Sequence, residues 1–376
     1  MITLEQATQT KGNLAISAAF PAPDLLHESA AQAARELLAE GASENTRRSY
    51  ATALRYWECW FGLRYGRPLD LPVAPAVVVQ FVVDHAARAT SEGLMTEMPA
   101  SVETALLAAG AKSQPGAPSL ATLRHRIAVL SRLHQLRALP NPCQDAAVRE
   151  LLTATRRAYA KRGVAPRQKD ALTREPFEAI LATCDCSLAG RRDRALLLFA
   201  WASGGRRRTE VAGASLANLR RTGTESFVYT LRHSKTNQAG LERADNAKPI
   251  QGRAAIALGD WLLAAGIKEG PIFRRINRGG AVGASLSGAA VRDIVKKRCA
   301  LAGLEGDFAA HSLRSGFVTE AAQQAVPIAE TMAMTGHRSV ASVVGYFRAT
   351  TESSRAARLL DGPVPSAAPV EDSARD

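Results

Sequence analysis

A mainly α-helical chain in two domains, a helical one followed by a mixed α+β one with a small hairpin or sheet, is the fold class that three observations predict. At 376 residues the chain is longer than one hydrophobic core usually serves. Between Glu44 and Tyr159, apolar residues recur at helical spacing in segments separated by prolines and capping residues. In the second half, Phe227 to Arg232 alternates as a strand does, and Lys248 to Ile250 is a candidate return strand.

Residues 1–28 mix Gly12, Pro21 and Pro23 without periodicity and read as a loose arm. The helical domain is expected over 29–160. Ser43-Glu44-Asn45 offers caps for a helix to about Leu63, with Tyr50, Leu54, Trp57 and Phe61 on one face. Pro72 and Pro75 precede a second helix through Val77, Val78, Phe81 and Val82, and a third covers about Val102 to Ala109. Pro115-Gly116-Ala117-Pro118 breaks the chain before Ser119 opens a long helix through Leu123, Ile127, Leu130 and Leu133. After Pro140-Asn141-Pro142 a further helix runs from about Asp145 to Tyr159.

A basic linker is expected over 161–171, and the second domain over 172–361. Thr173 is placed as a helix N-cap with Glu175-Pro176 in the first turn. Arg194 to Ala202 is an apolar helix that leads into Ser203-Gly204-Gly205. The two strand segments flank a turn at Ser234 to Gly240. The remainder reads as helix, with loops at Glu269-Gly270-Pro271 and at Asn277 to Gly283. Residues 362–376 are expected to be a frayed tail.

The formal net charge is +13, with 48 basic against 35 acidic residues. Both sides of Asp170 carry an excess: 20 basic to 15 acidic before it and including it, 28 to 20 after. A polyanion contacted by both halves accounts for this better than a single basic tail. Arg47 and Arg48 on the first helix, and the acid-free run of Arg156, Arg157, Lys161, Arg162, Arg167 and Lys169, are candidate phosphate contacts. The five cysteines, Cys59, Cys143, Cys184, Cys186 and Cys299, are odd in number and scattered, which fits a reducing cytoplasm. The apolar run Leu14 to Phe20 makes a poor signal peptide, and no apolar run approaches the ~20 residues of a membrane span.

The chemistry lies in an ordered set of residues: Gly205-Arg206-Arg207-Arg208-Thr209-Glu210, His311-Ser312-Leu313-Arg314, Thr335-Gly336-His337 and Tyr346. Cleaving a phosphodiester without a metal requires neutralising the growing charge, protonating the leaving oxygen and placing a nucleophile in line. Arginine suits the first task, because its planar fork binds phosphate bidentately and keeps its charge. Three-residue spacing lets His311 and Arg314 approach one phosphate from a single helical turn. A tyrosine has an unperturbed pKa near ~10, so Tyr346 needs a cationic pocket or a base such as His311 to lose its proton in attack. No carboxylate cluster, HExxH helix or GxxxxGK loop is present, so neither metal nor nucleotide cofactor is expected.

The order and spacing of these motifs resemble the tyrosine recombinase (phage integrase) family. In that family a first arginine stands in a Gly-x-Arg-x-Ser/Thr-Glu pattern, which Gly205, Arg207, Thr209 and Glu210 fit. Thr335-Gly336-His337 is similar to the family's Leu-Gly-His turn, with Thr335 in the usual leucine place, and the nine-residue interval to Tyr346 matches the family's. Asn45 to Tyr50 is similar to the opening of its core-binding domain, a SAM-like helical fold. The resemblance implies a catalytic set of Arg207, Lys235, His311, Arg314, His337 and Tyr346, with Tyr346 as nucleophile, Lys235 as hairpin general acid and Glu210 in support. It implies a clamp on double-stranded DNA at an inverted-repeat site, four subunits assembled on two such sites, accessory proteins in some cases, and a 3′-phosphotyrosyl intermediate without a cofactor. The short arm before the first helix favours the simple layout of Cre-like and Xer-like members. A type IB topoisomerase, a non-cleaving DNA-binding accessory protein and a basic RNA-binding protein stand as alternatives.

Overall fold

The computed structural model describes residues 43–164, 168–232 and 244–347, together with Gln32 and Gly41. The predicted arm, the tail, and the positions of Arg167 and Lys235 lie outside the described residues. The chain divides into two compact units, Met1–Pro166 and Arg167–Asp376.

In the first unit, α1 spans Glu44–Tyr65, α2 Pro75–His85, α3 Ala100–Ala108, α4 Leu120–Leu136 and α5 Ala146–Lys161. Three of the starts are fixed by side chains that fill orphan helix donors. Ser43 Oγ accepts from Thr46 N at 3.1 Å, Ser119 Oγ from Thr122 N at 3.2 Å, and Asp145 Oδ1 from Ala147 N at 2.9 Å. The buried stripe of α1 is Ala53, Tyr56, Trp57, Trp60 and Phe61, rotated from the expected face so that Tyr50 and Leu54 sit at its edge. Two indoles cause the rotation. Trp57 stacks on Phe81 at 3.7 Å, and Trp60 meets the same ring edge-on at 4.9 Å. Each buried indole N–H has a partner, Trp57 on Arg126 O at 2.9 Å and Trp60 on Asp84 Oδ2 at 3.0 Å. A two-stranded hairpin, β1 (Arg88–Thr90) and β2 (Gly93–Met95), interrupts what the sequence suggests is wholly helical.

The second unit opens with α6, Arg174–Ala182. Thr173 makes no side-chain cap there. The Glu320 carboxylate caps it instead, accepting from Arg174 N at 2.9 Å. Then come α7 (Leu188–Ala202) and the short α8 (Arg208–Ala212). An antiparallel sheet follows, of β3 (Leu219–Gly223), β4 (Ser226–Thr230) and β5 (Ala247–Gln251) in that order. Here β4 and β5 answer the two strand segments read from sequence, and β3 is an addition. Next are α9 (Arg253–Ala264), a hairpin of β6 (Arg274–Ile276) and β7 (Val282–Ser285) where a loop is expected, and α10 (Gly288–Leu301). The chain ends in α11 (Ala310–Gln323), α12 (Ile328–Thr335) and α13 (Val340–Val344). Leu196, Phe199, Leu258, Trp261, Phe273 and Val295 are among the residues that fill the core of this unit.

Candidate active site

Three features bring the distant motifs together. The first is the Gly204-Gly205 pair at the end of α7, where both residues have positive φ, +93° and +66°. A Cβ on Gly205 would lie 2.3 Å from Arg314 Cα, and one on Gly204 would lie 2.3 Å from Met334 O. The glycines therefore let the loop ahead of α8 press directly on α11 and on the end of α12. Gly205→Ala is expected to destabilise the protein by about 2 kcal/mol or more, through left-handed strain and forced separation of those backbones. Gly259→Ala, whose Cβ meets nothing within 4 Å among the described residues, should cost nothing. Denaturant titration of the two variants checks this.

The second feature is Arg314 itself, in the second turn of α11 and only 1% exposed. Its Nη1 donates to Gly205 O at 3.3 Å and its Nη2 to Thr335 O at 2.6 Å. Nε and Nη2 approach His337 Nε2 at 3.3 and 3.1 Å. Because an arginine only donates, Nε2 is the acceptor and the imidazole proton sits on Nδ1. That proton points at Thr335 Oγ1, 2.8 Å away, whose own hydroxyl donates to Thr331 O at 2.7 Å. Burial, then the neighbouring cations Arg314, Arg207 and Arg206, lowers the His337 pKa to about 4, so the ring is neutral at pH 7.

The third feature is the turn from α12 through Gly336 (φ +72°) to α13, which brings back Tyr346 just beyond the end of α13. The tyrosine ring lies 5.0 Å from His337 and 6.4 Å from His311, centroid to centroid, with the Arg314 guanidinium carbon 5.5 Å from its centre. His311 is exposed in the first turn of α11.

The arginine triplet splits into three environments. Arg206 is buried, at 2% exposure, and donates to Met334 O at 2.5 Å. Arg207 is half-buried and pairs with Glu210 at 2.9 Å, and Arg208 is exposed. Burial pushes the Glu210 carboxyl up, but Arg206 and Arg207 overcome this and hold it below the usual carboxylate range. Burial and mutual repulsion lower Arg206 and Arg314 to about 10, and lower Lys248 on β5 to about 8. Four cations thus converge around the Glu210 carboxylate, with Asp245 acting on Lys248. Such a cluster is preorganised for an incoming anion.

Sequence reasoning missed Arg206 and Lys248. Lys248 could have been found from its register, because it shares with Ile250 the inward face of β5. Of the candidate phosphate contacts, Arg47, Arg156, Arg157 and Lys161 are exposed. Arg48 pairs with Glu44, Lys169 with Asp307, and Arg162 donates to Ala87 O at 2.9 Å.

Residues 170–353 match the model of the phage integrase family. Over 324 residues, 84% of this chain and 84% of the relative, the sequence is 31% identical to an integrase/recombinase XerD homolog of Selenomonas ruminantium. The chain belongs to the phage integrase family, the tyrosine recombinases. It is a site-specific recombinase that cleaves and rejoins DNA. Two solved structures share the fold. One is a Tn1549 transposon integrase in complex with transposon right end DNA, with TM-score 0.52 and 13% identity over 86% of this chain and 96% of that one. The other is a lambda integrase dimer bound to a COC′ core site, with TM-score 0.51 and 16% identity over 86% and 95%. Among the described residues no helix is long and apolar enough to cross a membrane.

Proposed function

We propose that Tyr346 Oη attacks a phosphodiester of duplex DNA, forming an O–P bond while the bond from phosphorus to the 5′-oxygen breaks. The products are a 3′-phosphotyrosyl link and a free 5′-hydroxyl. Attack by a 5′-hydroxyl of a partner strand reverses the step and releases the tyrosine. His311 accepts the phenol proton and Lys235 supplies one to the departing 5′-oxygen. Arg207, held by Glu210, and Arg314 neutralise the non-bridging oxygens, and His337 hydrogen-bonds one of them. The observation that carries this reading is the Tyr346 ring set between two imidazoles beside the Arg314 guanidinium. A phosphate there would draw Arg314's donors to itself and leave His337 Nε2 free to take up a proton, raising its pKa from about 4.

The partner is double-stranded DNA carrying an inverted-repeat site, with four subunits assembled on two such sites. Arg47, Arg48, Arg156, Arg157, Lys161, Arg162, Arg167 and Lys169 supply backbone contacts from the helical domain and linker, and the resulting affinity is salt-dependent. A nicked suicide duplex, carrying a site that this protein selects from random-sequence DNA, tests the reading. A covalent protein–DNA adduct is expected, and binding without any adduct would leave only a non-cleaving role. Lys235→Ala should lose adduct formation on ordinary DNA and regain it when the bridging 5′-oxygen is replaced by sulfur, because a thiolate leaves without a proton. The same substrate should not rescue Arg314→Ala, whose part is charge neutralisation.

A further inference from the structure

A helix leaves its last carbonyls without partners of its own. At the end of α12, the Gly336 N–H reaches back to Met332 O at 2.7 Å, and the carbonyls of Ala333, Met334 and Thr335 follow. Each of these three consecutive oxygens receives a buried cation from a different element. Lys248 on β5 donates to Ala333 O, Arg206 ahead of α8 to Met334 O at 2.5 Å, and Arg314 on α11 to Thr335 O at 2.6 Å. We propose that Arg206 and Lys248 are positioning residues that grip the last turn of α12 by its carbonyls, and so fix the imidazole of His337 for the phosphoryl step. The proposal rests on the catalytic reading of His337 and Tyr346 given above.

Both residues occupy places where an apolar side chain would be the cheaper choice. On the sheet, Lys248 stands opposite Tyr229 and on the same inward face as Phe227 and Ile250. Burying a charge is costly unless a partner compensates, and here the neighbouring charges include Arg206 and Arg314, of the same sign. The α12 carbonyls supply the compensation, because a helix C-terminus carries partial negative charge and favours cations. Arg206 is not held by saturated bonding elsewhere: among the described residues its Nε has no partner, and its ion pair with Glu210 is long at 3.7 Å. Lys248 also donates to Asp245 O, which ties the α12 turn to the start of β5. The His337 ring takes its orientation from the same turn, through Thr335 Oγ1 and through Arg314. A shift of that turn therefore moves the ring.

The test uses the full chain with ¹⁵N-labelled histidine, His337 being assigned through His337→Gln. The wild type should show one neutral tautomer, protonated on Nδ1. Arg206→Met and Lys248→Met should each bring His337 into exchange between tautomers. They should also slow adduct formation on the nicked duplex by about a hundredfold, the scale of a small misplacement of reacting groups, with affinity for that duplex unchanged. Arg206→Lys and Lys248→Arg should recover the His337 signals and most of the rate. If a Met variant does not fold, Arg206→Gln or Lys248→Gln takes its place with the same expected losses. Wild-type His337 signals and wild-type rates in the uncharged variants would overturn the proposal. Rescue of Lys248→Met by the 5′-sulfur substrate would also overturn it, by making Lys248 the proton donor. Tyr346→Phe run alongside separates the two readings: an adduct surviving there counts against the nucleophile, and the His337 spectra still decide the positioning role.

Discussion

Tyr346→Phe should abolish the covalent protein–DNA adduct and leave DNA affinity close to that of the wild type. The substitution removes one oxygen and keeps the ring, so the packing against His337 at 5.0 Å and the Arg314 guanidinium at 5.5 Å survives. The arginine cluster is untouched, because Arg314 is held by Thr335 O, Gly205 O and His337 rather than by the phenol. Protein affinity for duplex DNA generally comes mainly from many phosphate contacts, and one hydroxyl contributes little to it. Denaturing gels of the nicked-duplex reaction report the adduct, and gel-shift titration reports the binding. An adduct at wild-type level in this variant would remove Tyr346 from the nucleophile's role.

The helices of the first unit were legible because their signals are local. Ser43, Ser119 and Asp145 cap the helices that follow them, and each cap needs only the next few residues. The short strands were not. Arg88-Ala89-Thr90 and Arg274-Arg275-Ile276 are three residues each, too short to show alternation, and their pairing depends on a partner strand. The Asn277 to Gly283 segment does turn, but it turns a hairpin. The cap on α6 shows a further limit. Thr173 is the right residue type in the right place, yet the carboxylate of Glu320, 146 positions from Arg174, does the work.

The site divides the same way. Arg207, His311, Arg314, His337 and Tyr346 stand at spacings that mean something in sequence, and the fold gathers them within one electrostatic neighbourhood. Arg206 carries no such mark, since inside a triplet it looks like its neighbours. Only the close approach at Gly204 and Gly205 turns it inward, beneath the end of α12. Lys248 is hidden for a different reason. Its inward face can be read from strand register beside Ile250, but its partners are the carbonyls of a helix some 85 residues later, and those are not written near it.

Arg314→Ala carries the other large expected effect. Adduct formation should slow by about 10² to 10³, the usual loss when one preorganised transition-state donor is removed. The loss of stability should be smaller than the contacts suggest. Removing the guanidinium strands Thr335 O and Gly205 O, at about 1–3 kcal/mol for each buried group left unpaired. It also relieves the repulsion that, after burial, Arg207 and Arg206 exert on Arg314. His337 gives an independent readout. Burial is the first cause of its low pKa and Arg314 the second, so loss of this cation must raise the pKa from about 4 toward the ordinary imidazole value near ~6.5. Its histidine signals should then titrate at higher pH than in the wild type. Arg314→Lys keeps a charge but loses the planar fork that reaches Gly205, Thr335 and His337 together, so it should recover little of the rate. A lysine variant as active as the wild type, or an unshifted His337 titration in the alanine variant, would show that Arg314 does not organise this site.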